Sequence, residues 1–378
     1  MHDVVIVGGG PVGSALAVGL AQAGLRATLL EARTRESDDR RSLALSFGSR
    51  LILQRLGVWQ RLHDPTPIER IHVSQRGAPG RALLTAKEAG LPALGYVVAY
   101  ADLQRTLSGA IEGAEGLRVL HGARATGIDA DGRVVSVDYT LDGVSQQAQA
   151  RLAAIADGGM LARVGPSKHE VRYAQSALVA FVRTDRAHRG LAFERFTAQG
   201  PLALLPFRDG YSLVWTTTPD AAMRLMDTGD AAFLAQLQEG FGDRAGHFLS
   251  IESRASFPLG LKVAATPSTA RTVLLGNAAQ TLHPVAGQGF NLGLRDAWAL
   301  TQAAARAPDA IGEATFLSDY LRSRRTDRGA TVLLTDALVR LFSNRSQVLS
   351  MLRAGGLAAL DSTPMLKRGF MGRMMFGS

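Results

Sequence analysis

Three glycines near the start of the chain, Gly8, Gly10 and Gly13, constrain its fold more than any other feature. They follow a β-branched apolar run at 4–7 and precede a helix-forming segment at 14–18. This placement predicts a strand, a tight turn at Gly8 and a helix, with Gly10 where a backbone can approach a pyrophosphate. Gly13 lets the helix pack against the strand. The spacing therefore indicates a dinucleotide site in a parallel α/β sheet.

The next apolar segment, residues 27–30, ends at Glu31 and completes a βαβ unit. A carboxylate at this strand end can accept hydrogen bonds from ribose hydroxyls and would repel a 2′-phosphate. FAD and NAD share this adenosine site, so the fingerprint alone leaves both cofactors open. A nicotinamide dehydrogenase usually continues with a second βαβ half, whereas here the strand, glycine turn and helix pattern returns only at 272–305.

Between these two parts the chain consists of short apolar runs separated by Gly, Pro and Asp. Residues 176–182, 192–196 and 211–215 have the pattern of strands in an antiparallel sheet. We therefore expect two distant segments to build one nucleotide-binding domain, with a β-rich part inserted between them.

The composition excludes several other classes of protein. The chain has 378 residues, 46% of them apolar, so it is long enough for a dry core around a bound molecule. It contains no cysteine, which excludes disulfides, thiolate metal sites, thiol catalysis and iron–sulfur clusters. Its eight histidines lack the HxxxH and H-x-E spacings of metal sites, so no metal is expected.

The charge pattern and the apolar runs indicate where the chain is located. The net charge of +9 is spread along the sequence, which favours an anionic lipid surface over nucleic acid as a partner. No apolar run approaches the roughly 18 to 20 residues that a membrane-spanning helix needs. The chain begins directly with a strand and has no secretion signal. We expect a cytoplasmic protein that at most contacts a membrane.

The segment GNAAQTLHPVAGQGFNLGLRD, residues 276–296, is the most informative in the chain. It resembles the C-terminal flavin motif of the class A FAD-dependent aromatic monooxygenases, and more narrowly that of the ubiquinone-biosynthesis hydroxylases. The segment FERFT at 193–197 resembles the substrate-domain sequence of the same subgroup. The likeness covers most of the chain and weakens after about Arg345. It implies FAD as the cofactor.

The physical properties of the 276–296 segment agree with that likeness. Gly287, Gln288 and Gly289 can present backbone N–H groups at the start of a helix that contains Asn291. This helix end carries partial positive charge and would stabilise the anionic N1–C2=O edge of a reduced flavin. Pro284 fixes the backbone before the turn, and the resemblance implies that it lies beside the isoalloxazine ring.

Four more cofactor contacts rest on the resemblance. Asn277 stands where most of the family has Asp, and its amide can still bond a ribityl hydroxyl. Asp157 begins an Asp-Gly turn that the family places near the flavin, although the serine and arginine that usually follow are replaced or displaced, with Arg163 one residue out of register. Arg41 resembles an arginine that reaches back to the cofactor, and Gln104 resembles a second polar contact.

The resemblance also implies the fold. This is an α/β protein with a Rossmann-like FAD-binding domain of the p-hydroxybenzoate hydroxylase type, an antiparallel β-sheet substrate domain and a helical C-terminus. We expect a discontinuous FAD-binding domain at 1–72, 96–165 and 268–345, a β-rich substrate domain at 73–95 and 166–267, and a C-terminal helical or interfacial tail at 346–378. That tail mixes cations with Met and Phe, as an interfacial segment does, and packing against its own domain is an equal alternative.

The implied reaction is carried by FAD, with NAD(P)H and O2 as co-substrates and oxygen transferred from the flavin C4a-hydroperoxide. The implied substrate is a polyprenylated phenol of ubiquinone biosynthesis, with 2-polyprenyl-6-methoxyphenol converted to 2-polyprenyl-6-methoxy-1,4-benzoquinol. No side chain is assigned as an acid or base, and His283 is more simply explained as a structural residue. A closed apolar pocket is needed, because water would release the peroxide. Candidate substrate contacts are Phe193, Phe196, Leu204, Pro206, Trp215 and His283.

Three alternatives stay open at this point. The first is a hydroxylase of the same fold that acts at another ring position. The second is a flavin-dependent reductase of isoprenoid double bonds, and the third is a non-catalytic flavoprotein in a quinone-synthesis assembly. The partners expected are the prenylphenol lipid and either the inner membrane face or a ubiquinone-biosynthesis protein assembly; the sequence does not indicate an oligomeric state.

Overall fold

The computed structural model describes residues 1–35, 39–77, 79–161, 168–342 and 347–377. The strands, in chain order, are β1 (His2–Val7), β2 (Ala27–Glu31), β3 (Ser42–Ser46), β4 (Thr66–Ile68), β5 (Arg70–Gln75), β6 (Arg81–Thr85), β7 (Gly95–Ala99), β8 (Leu117–His121), β9 (Arg124–Ala130), β10 (Val135–Leu141), β11 (Val144–Ile155), β12 (Lys168–Thr184), β13 (Leu191–Thr197), β14 (Gly200–Phe207), β15 (Gly210–Thr217), β16 (Phe248–Ala264), β17 (Ser268–Thr269), β18 (Thr272–Leu274) and β19 (Gln280–Thr281). The α-helices are α1 (Pro11–Gln22), α2 (Phe47–Arg55), α3 (Ala86–Ala89), α4 (Tyr100–Ile111), α5 (Pro219–Asp227), α6 (Asp230–Phe241), α7 (Gln288–Arg306), α8 (Ala314–Phe342), α9 (Gln347–Ser362) and α10 (Pro364–Phe376).

The first sheet contains the predicted βαβ unit. Its parallel strands lie in the order β18-β11-β1-β2-β8, and β9, β10 and β17 add antiparallel pairs at its margins. Strand β18 pairs with β11 although more than a hundred residues separate them. Two distant segments of the chain thus contribute strands to one sheet. Helices α1, α4 and α7 pack on one side of it, around a core built from Ile6, Leu16, Leu29, Leu152 and Leu294.

The second sheet has the order β19-β16-β12-β15-β14-β13-β5-β6. The predicted strands at 176–182, 192–196 and 211–215 are confirmed as parts of β12, β13 and β15. The sheet is antiparallel except where β13 runs parallel to β5. Helices α5 and α6 cover one face through a core that includes Phe233, Leu237 and Phe241. A small sheet, β3-β7-β4, lies near the other face, where the Ser42 hydroxyl donates a hydrogen bond to the Ser212 hydroxyl at 2.6 Å.

The C-terminal part of the chain is helical, as expected. Helix α10 packs against α2, with the rings of Phe47 and Phe376 edge to face at 6.0 Å. It buries Met371, Met375 and the ammonium of Lys367, which donates to Glu88 Oε1 at 2.9 Å. No helix among the described residues is both long enough and apolar enough to span a bilayer.

Candidate functional site

A groove of about 1530 Å³ lies between the turn after β1 and the face of the second sheet opposite α5 and α6. The carboxyl ends of the parallel strands β1, β2 and β11 open into it, as expected for a ligand site in a sheet of this kind. Of the predicted cofactor residues, those that line the groove are Gly8, Gly10, Glu31, Arg41, Asp157, Asn277, Pro284 and Gly289.

The three glycines of the fingerprint have different surroundings. Gly8 has a φ of +101°, and a Cβ there would lie 2.6 Å from the Cα of Asp157. A Cβ on Gly13 would lie 1.9 Å from the carbonyl oxygen of Gly8, so this glycine is needed for the fold itself. A Cβ on Gly10 would meet no protein atom within 4 Å, because Gly10 caps the start of α1 at the groove. The turn therefore has space at the position where a pyrophosphate would lie.

Glu31 is tied to the glycine turn. Its Oε2 accepts a hydrogen bond from the Gly9 N–H at 2.7 Å, and its Oε1 accepts from the Arg33 N–H at 2.8 Å and from Arg33 Nε at 2.9 Å. Burial alone would raise the pKa of Glu31, but the hydrogen bonds from Arg33 and Gly9 outweigh it and hold the pKa below its ordinary value. A carboxylate is thus present at the edge of the groove over the physiological pH range.

Gln104 lies outside the groove lining and supports the turn from behind. Its Nε2 donates to the carbonyl oxygen of Gly9 at 2.8 Å, and the Ser14 hydroxyl donates to the same oxygen at 2.9 Å. The side-chain oxygen of Gln104 is buried and has no hydrogen-bond partner in the described part of the chain. Gln104 therefore holds the glycine turn, and a direct contact between this side chain and a cofactor stays a prediction.

Arg41 lies at the rim of the groove. Its guanidinium pairs with Asp39 and lies 5.6 Å from the ring centre of Tyr100 and 5.0 Å from that of Phe257. The hydrogen bond with Asp39 raises the pKa of Arg41 above its already high value. The arginine is half-exposed, so it can rearrange toward a phosphate without leaving a buried charge unpaired.

The turn before α7 brings four of the predicted residues together. Gly287 adopts a left-handed conformation with a φ of +62°, and its N–H donates to the Pro284 carbonyl at 2.9 Å. Helix α7 then begins at Gln288, and Gly289 faces the groove. The first N–H groups of a helix have no partner within it, so this end presents donors and partial positive charge to the groove. Gln288 is buried and its Nε2 is directed to the Met374 carbonyl at 3.4 Å.

Asn291 is placed differently from the expected cofactor contact. It is buried, and its Oδ1 accepts hydrogen bonds from the Ser46 N–H at 2.8 Å and the Ser49 hydroxyl at 2.7 Å. Its Nδ2 donates to the carbonyls of Ala44 at 2.9 Å and Gly287 at 2.6 Å. Both the oxygen and the nitrogen of the amide are therefore hydrogen-bonded within the protein, and these bonds fix the start of α7 against β3 and α2. The structure places it behind the groove surface.

Asn277 and Asp157 both face the groove. Asn277 is exposed, so its amide is accessible to a ligand. The Asp157 carboxylate is used in its own turn, where Oδ1 accepts from the Gly159 N–H at 2.8 Å and Oδ2 from the Leu161 N–H. Arg163, the displaced arginine of this motif, lies outside the described residues.

The six expected substrate contacts do not line the groove. Phe193, Leu204 and Trp215 point to the opposite face of the second sheet, into the core under α5 and α6. Phe196 lies on the groove side but stacks on Phe342 at 3.7 Å, and Pro206 is buried. The physical reason is the twofold alternation of a strand, which puts neighbouring residues on opposite faces. The apolar wall is formed instead by Ala177, Val179, Phe181, Phe207, Val214, Phe257 and Leu259.

His283 is fully buried beside the α7 turn. Its Nδ1 accepts a hydrogen bond from the Val285 N–H at 3.1 Å, and its ring contacts Tyr173 edge to face at 5.7 Å. Burial lowers the pKa of His283 to about 4, so the ring is neutral at physiological pH. This arrangement agrees with a structural residue and gives it no contact with the groove.

A buried ionic cluster between α7 and α8 was not predicted from the sequence. Arg295 contacts Asp327 through two hydrogen bonds, of 2.8 and 3.1 Å, and Arg324 donates to Asp296 at 2.8 Å. Burial would raise the pKa of Asp327, but Arg295 and Arg324 hold it below its ordinary value. Arg295 and Asp296 occur in the 276–296 motif, and their partners lie about thirty residues later on α8, which sequence spacing alone does not reveal. The cluster fixes α7, and with it the turn at the groove.

These residues fit an FAD molecule. The space at Gly10 suits its pyrophosphate, the Glu31 carboxylate suits its ribose hydroxyls, and the start of α7 suits the anionic edge of its ring. The described residues include no cluster of three or more His, Asp or Glu side chains placed to hold a metal ion.

Comparisons with known proteins agree with this fit. The model of the family described as FAD binding domain matches residues 1–333. The chain is 34% identical to ubiquinone hydroxylase UbiL of Rhodospirillum rubrum, with 99% of this chain and 89% of that protein aligned. It is 31% identical to 3-demethoxyubiquinol 3-hydroxylase of Escherichia coli, with 97% and 96% aligned.

Solved structures show the same fold. The p-nitrophenol 4-monooxygenase PnpA of Pseudomonas putida superposes with a TM-score of 0.81 at 18% identity and covers 100% of this chain and 98% of its own. PqsL of Pseudomonas aeruginosa gives a TM-score of 0.75 at 22% identity, with 94% and 99% covered. At these identities the likeness concerns the fold alone.

Proposed function

This chain belongs to the FAD binding domain family and is an FAD-dependent monooxygenase that uses NAD(P)H and O2; from that premise we propose that it hydroxylates a polyprenylated phenol of ubiquinone biosynthesis. The observation that carries the proposal is the groove itself, in which the glycine turn and the start of α7 face an apolar sheet surface. The names of the relatives support the substrate class. We propose 2-polyprenyl-6-methoxyphenol as the substrate and its 1,4-benzoquinol as the product.

The described residues have two tasks in this reaction, to hold FAD and to stabilise negative charge on its ring. Bound FAD would supply the redox chemistry, with NAD(P)H as the electron donor and O2 as the oxidant. The Gly8 to Gly13 turn and Glu31 hold the adenosine and pyrophosphate end, where side chains contribute little to reactivity. The start of α7 presents backbone N–H groups to the ring, which stabilises negative charge without a side-chain cation.

The apolar wall of the groove suits an aromatic ring with an isoprenoid tail. Val179, Phe181 and Val214 offer carbon surface on β12 and β15, and Phe257 and Leu259 extend it along β16. Such a wall orients an apolar ring by contact and keeps water away from the reacting atoms. It contributes binding energy through the area of substrate that leaves water.

The same substrate would be dissolved in a bilayer, and we infer that α10 contacts an anionic membrane surface. Its exposed side includes Met365 and Leu366 together with Arg368 and Arg373. Apolar and cationic side chains on one exposed helix are typical of an interfacial segment. Its other side is buried through Met371 and Met375, so the packed and interfacial alternatives for the tail can both hold.

Flotation with lipid vesicles tests the membrane contact. The chain should float with vesicles that contain phosphatidylglycerol and stay behind with phosphatidylcholine alone, and Met365→Glu should reduce the bound fraction. Met223→Glu, at an exposed methionine on α5, is the matched control and should leave it unchanged. Equal binding by the two variants would contradict the assignment of α10.

Isotope labelling tests the reaction. The purified protein with FAD, NAD(P)H and a short-chain 2-prenyl-6-methoxyphenol should insert one atom of ¹⁸O from ¹⁸O₂ into the ring. Saturation of the prenyl double bond without label would support an isoprenoid reductase instead. A product hydroxylated at a different carbon would support the same chemistry at another ring position.

A further inference from the structure

Glu194 carries a carboxyl group that the described chain leaves without a partner. Its Oε1 is buried and makes no hydrogen bond within the described residues. The residue keeps some accessible surface, and it lies just outside the residues that line the groove. An enclosed, unpaired carboxyl is costly for a fold, which makes a ligand the simplest partner.

The register of the second sheet places Glu194 beside the groove. On β13 it pairs with Ala203 of β14, which pairs in turn with Val214 of β15, and Val214 pairs with Val179 of β12. Val214 and Val179 line the groove. Neighbouring strands are about 4.8 Å apart, so Glu194 lies roughly 10 Å from Val214 in the same cross-strand row. Ala203, a small residue, occupies the position between them in this row.

The neighbours of Glu194 along β13 show which way its side chain points. Ala192 packs with Val97 of β7, and Phe196 packs with Val285 of the turn before α7. These residues share a face with Glu194 because they are two positions away on the same strand. Glu194 therefore projects between β7 and the 285–287 turn, which is next to Pro284 at the groove surface.

No charged group in the described chain balances this carboxyl. His72 of β5 is on the opposite face of the sheet, against Phe193. Asp336 of α8 accepts the hydrogen bond of Tyr173, whose ring also contacts the neutral His283. On β7, Tyr96 lies edge-on to Trp59, and on the loop before β3, Arg41 is paired with Asp39. Arg353 of α9, a buried cation over the Phe342 ring, donates instead to Gln75 Oε1 at 3.2 Å and to the Leu341 carbonyl at 2.6 Å.

We propose that Glu194 binds the phenol hydroxyl of the substrate and accepts its proton as the ring is hydroxylated. This inference rests on the proposed function. The step moves one proton: the phenol O–H bond breaks, an O–H bond forms on the carboxylate, and the electron pair stays on the phenolic oxygen. The phenolate ring is richer in electrons, which favours attack by an electrophilic oxygen atom. O2 supplies that atom, and the two electrons from NAD(P)H reduce the other oxygen atom of O2 to water. The hydrogen bond also fixes which ring carbon faces the cofactor.

The environment suits a proton acceptor that works near neutral pH. Burial raises the pKa of Glu194 to about 7, whereas an exposed glutamate would be fully ionised there. A general base is most effective when its pKa lies near the working pH. The carboxyl can therefore take up and release a proton within one catalytic cycle.

The test compares Glu194→Gln with the wild type and with Glu170→Gln, a control at an exposed glutamate of β12 that pairs with Lys262. The probe is a short-chain 2-prenyl-6-methoxyphenol. Removal of the base should lower kcat about 100-fold or more, while the probe's dissociation constant, from its effect on the flavin spectrum, should change much less. The FAD content of both variants should stay that of the wild type, and Glu170→Gln should also keep the wild-type kcat.

The pH profile separates a proton acceptor from a packing residue. The wild-type kcat should rise between about pH 6 and 8, the Glu194→Gln profile should lose this rise, and Glu194→Asp should recover part of it. A Glu194→Gln enzyme with wild-type kcat and profile would overturn the assignment. Failure of Glu194→Gln to fold at pH 6 would also overturn it, since the amide matches the protonated carboxyl in shape. A wild type that does not hydroxylate the probe would refute the proposed function instead.

Discussion

The Oδ1 atom of Asn291 accepts a hydrogen bond from the backbone N–H of Ser46 at 2.8 Å, which joins the start of α7 to the end of β3. The same amide also bonds Ser49, Ala44 and Gly287. The position of the turn that faces the groove thus depends on a side chain that has no contact with the groove itself. A family motif residue can serve the cofactor by holding the backbone that binds it.

We expect Asn291→Ala to destabilise the protein. The change leaves the buried Ser46 N–H without an acceptor and should lower the free energy of unfolding by about 2 to 4 kcal/mol. Denaturant unfolding of the FAD-free protein measures this. Asn277→Ala is the matched control, because Asn277 is exposed, and its unfolding free energy should stay within about 0.5 kcal/mol of the wild type. Equal stabilities of the two variants would contradict the structural role of Asn291.

Alanine at two glycines of the same turn should give two different results. A Cβ on Gly13 would overlap the Gly8 carbonyl, so Gly13→Ala should disrupt the fold. A Cβ on Gly10 meets no protein atom, so Gly10→Ala should leave the apoprotein's melting temperature unchanged and weaken FAD binding by crowding the pyrophosphate. Thermal unfolding and fluorescence titration with FAD measure the two effects. Wild-type FAD affinity in Gly10→Ala would place the pyrophosphate elsewhere.

The buried His283 should make stability fall in acid. Its pKa is about 4 when folded and 6.5 when exposed, so below pH 6.5 the unfolded chain binds a proton that the native ring does not. His283 therefore leaves the free energy of unfolding unchanged above pH 6.5 and lowers it by up to about 3 kcal/mol as the pH falls to 4. His283→Asn keeps an acceptor for Val285 and should flatten this dependence in urea unfolding. His169→Asn, at an exposed histidine, should keep the wild-type slope.

Glu194 should make stability fall as the pH rises, which is the opposite of the effect of His283. Its pKa is raised from 4.5 to about 7, so the native state holds a proton that the unfolded chain releases. The contribution of the buried, protonated Glu194 to the free energy of unfolding is fully present below pH 4.5 and is lost as the pH rises through 7. Glu194→Gln removes this loss and should be about 2 to 3 kcal/mol more stable than the wild type at pH 8, with near equality at pH 4.5. A wild type as stable as the variant at pH 8 would show that Glu194 is not enclosed.

The nucleotide turn could be predicted from the sequence because each of its glycines meets a different steric requirement, and these requirements produce a characteristic spacing. The sequence predicted the strands of the second sheet as well, but not which face of each strand meets the groove. Strand β14 is buried along almost its whole length because both faces of the sheet are covered, so its residues show no alternation of apolar and polar types. The expectation that Phe193, Leu204 and Trp215 contact the substrate therefore disagrees with their positions in the core under α5 and α6. The long-range partners of Asn291 and Asp327 depend on the folded arrangement of helices, which local patterns do not contain.

The structure of the protein with FAD and a short-chain 2-prenyl-6-methoxyphenol tests the central claim most directly. We expect the flavin ring against the backbone of residues 284–289 and the phenol ring against Val179 and Val214, with its hydroxyl directed to Glu194. A flavin ring bound away from the start of α7, or a groove that stays filled with water after FAD is added, would contradict the account.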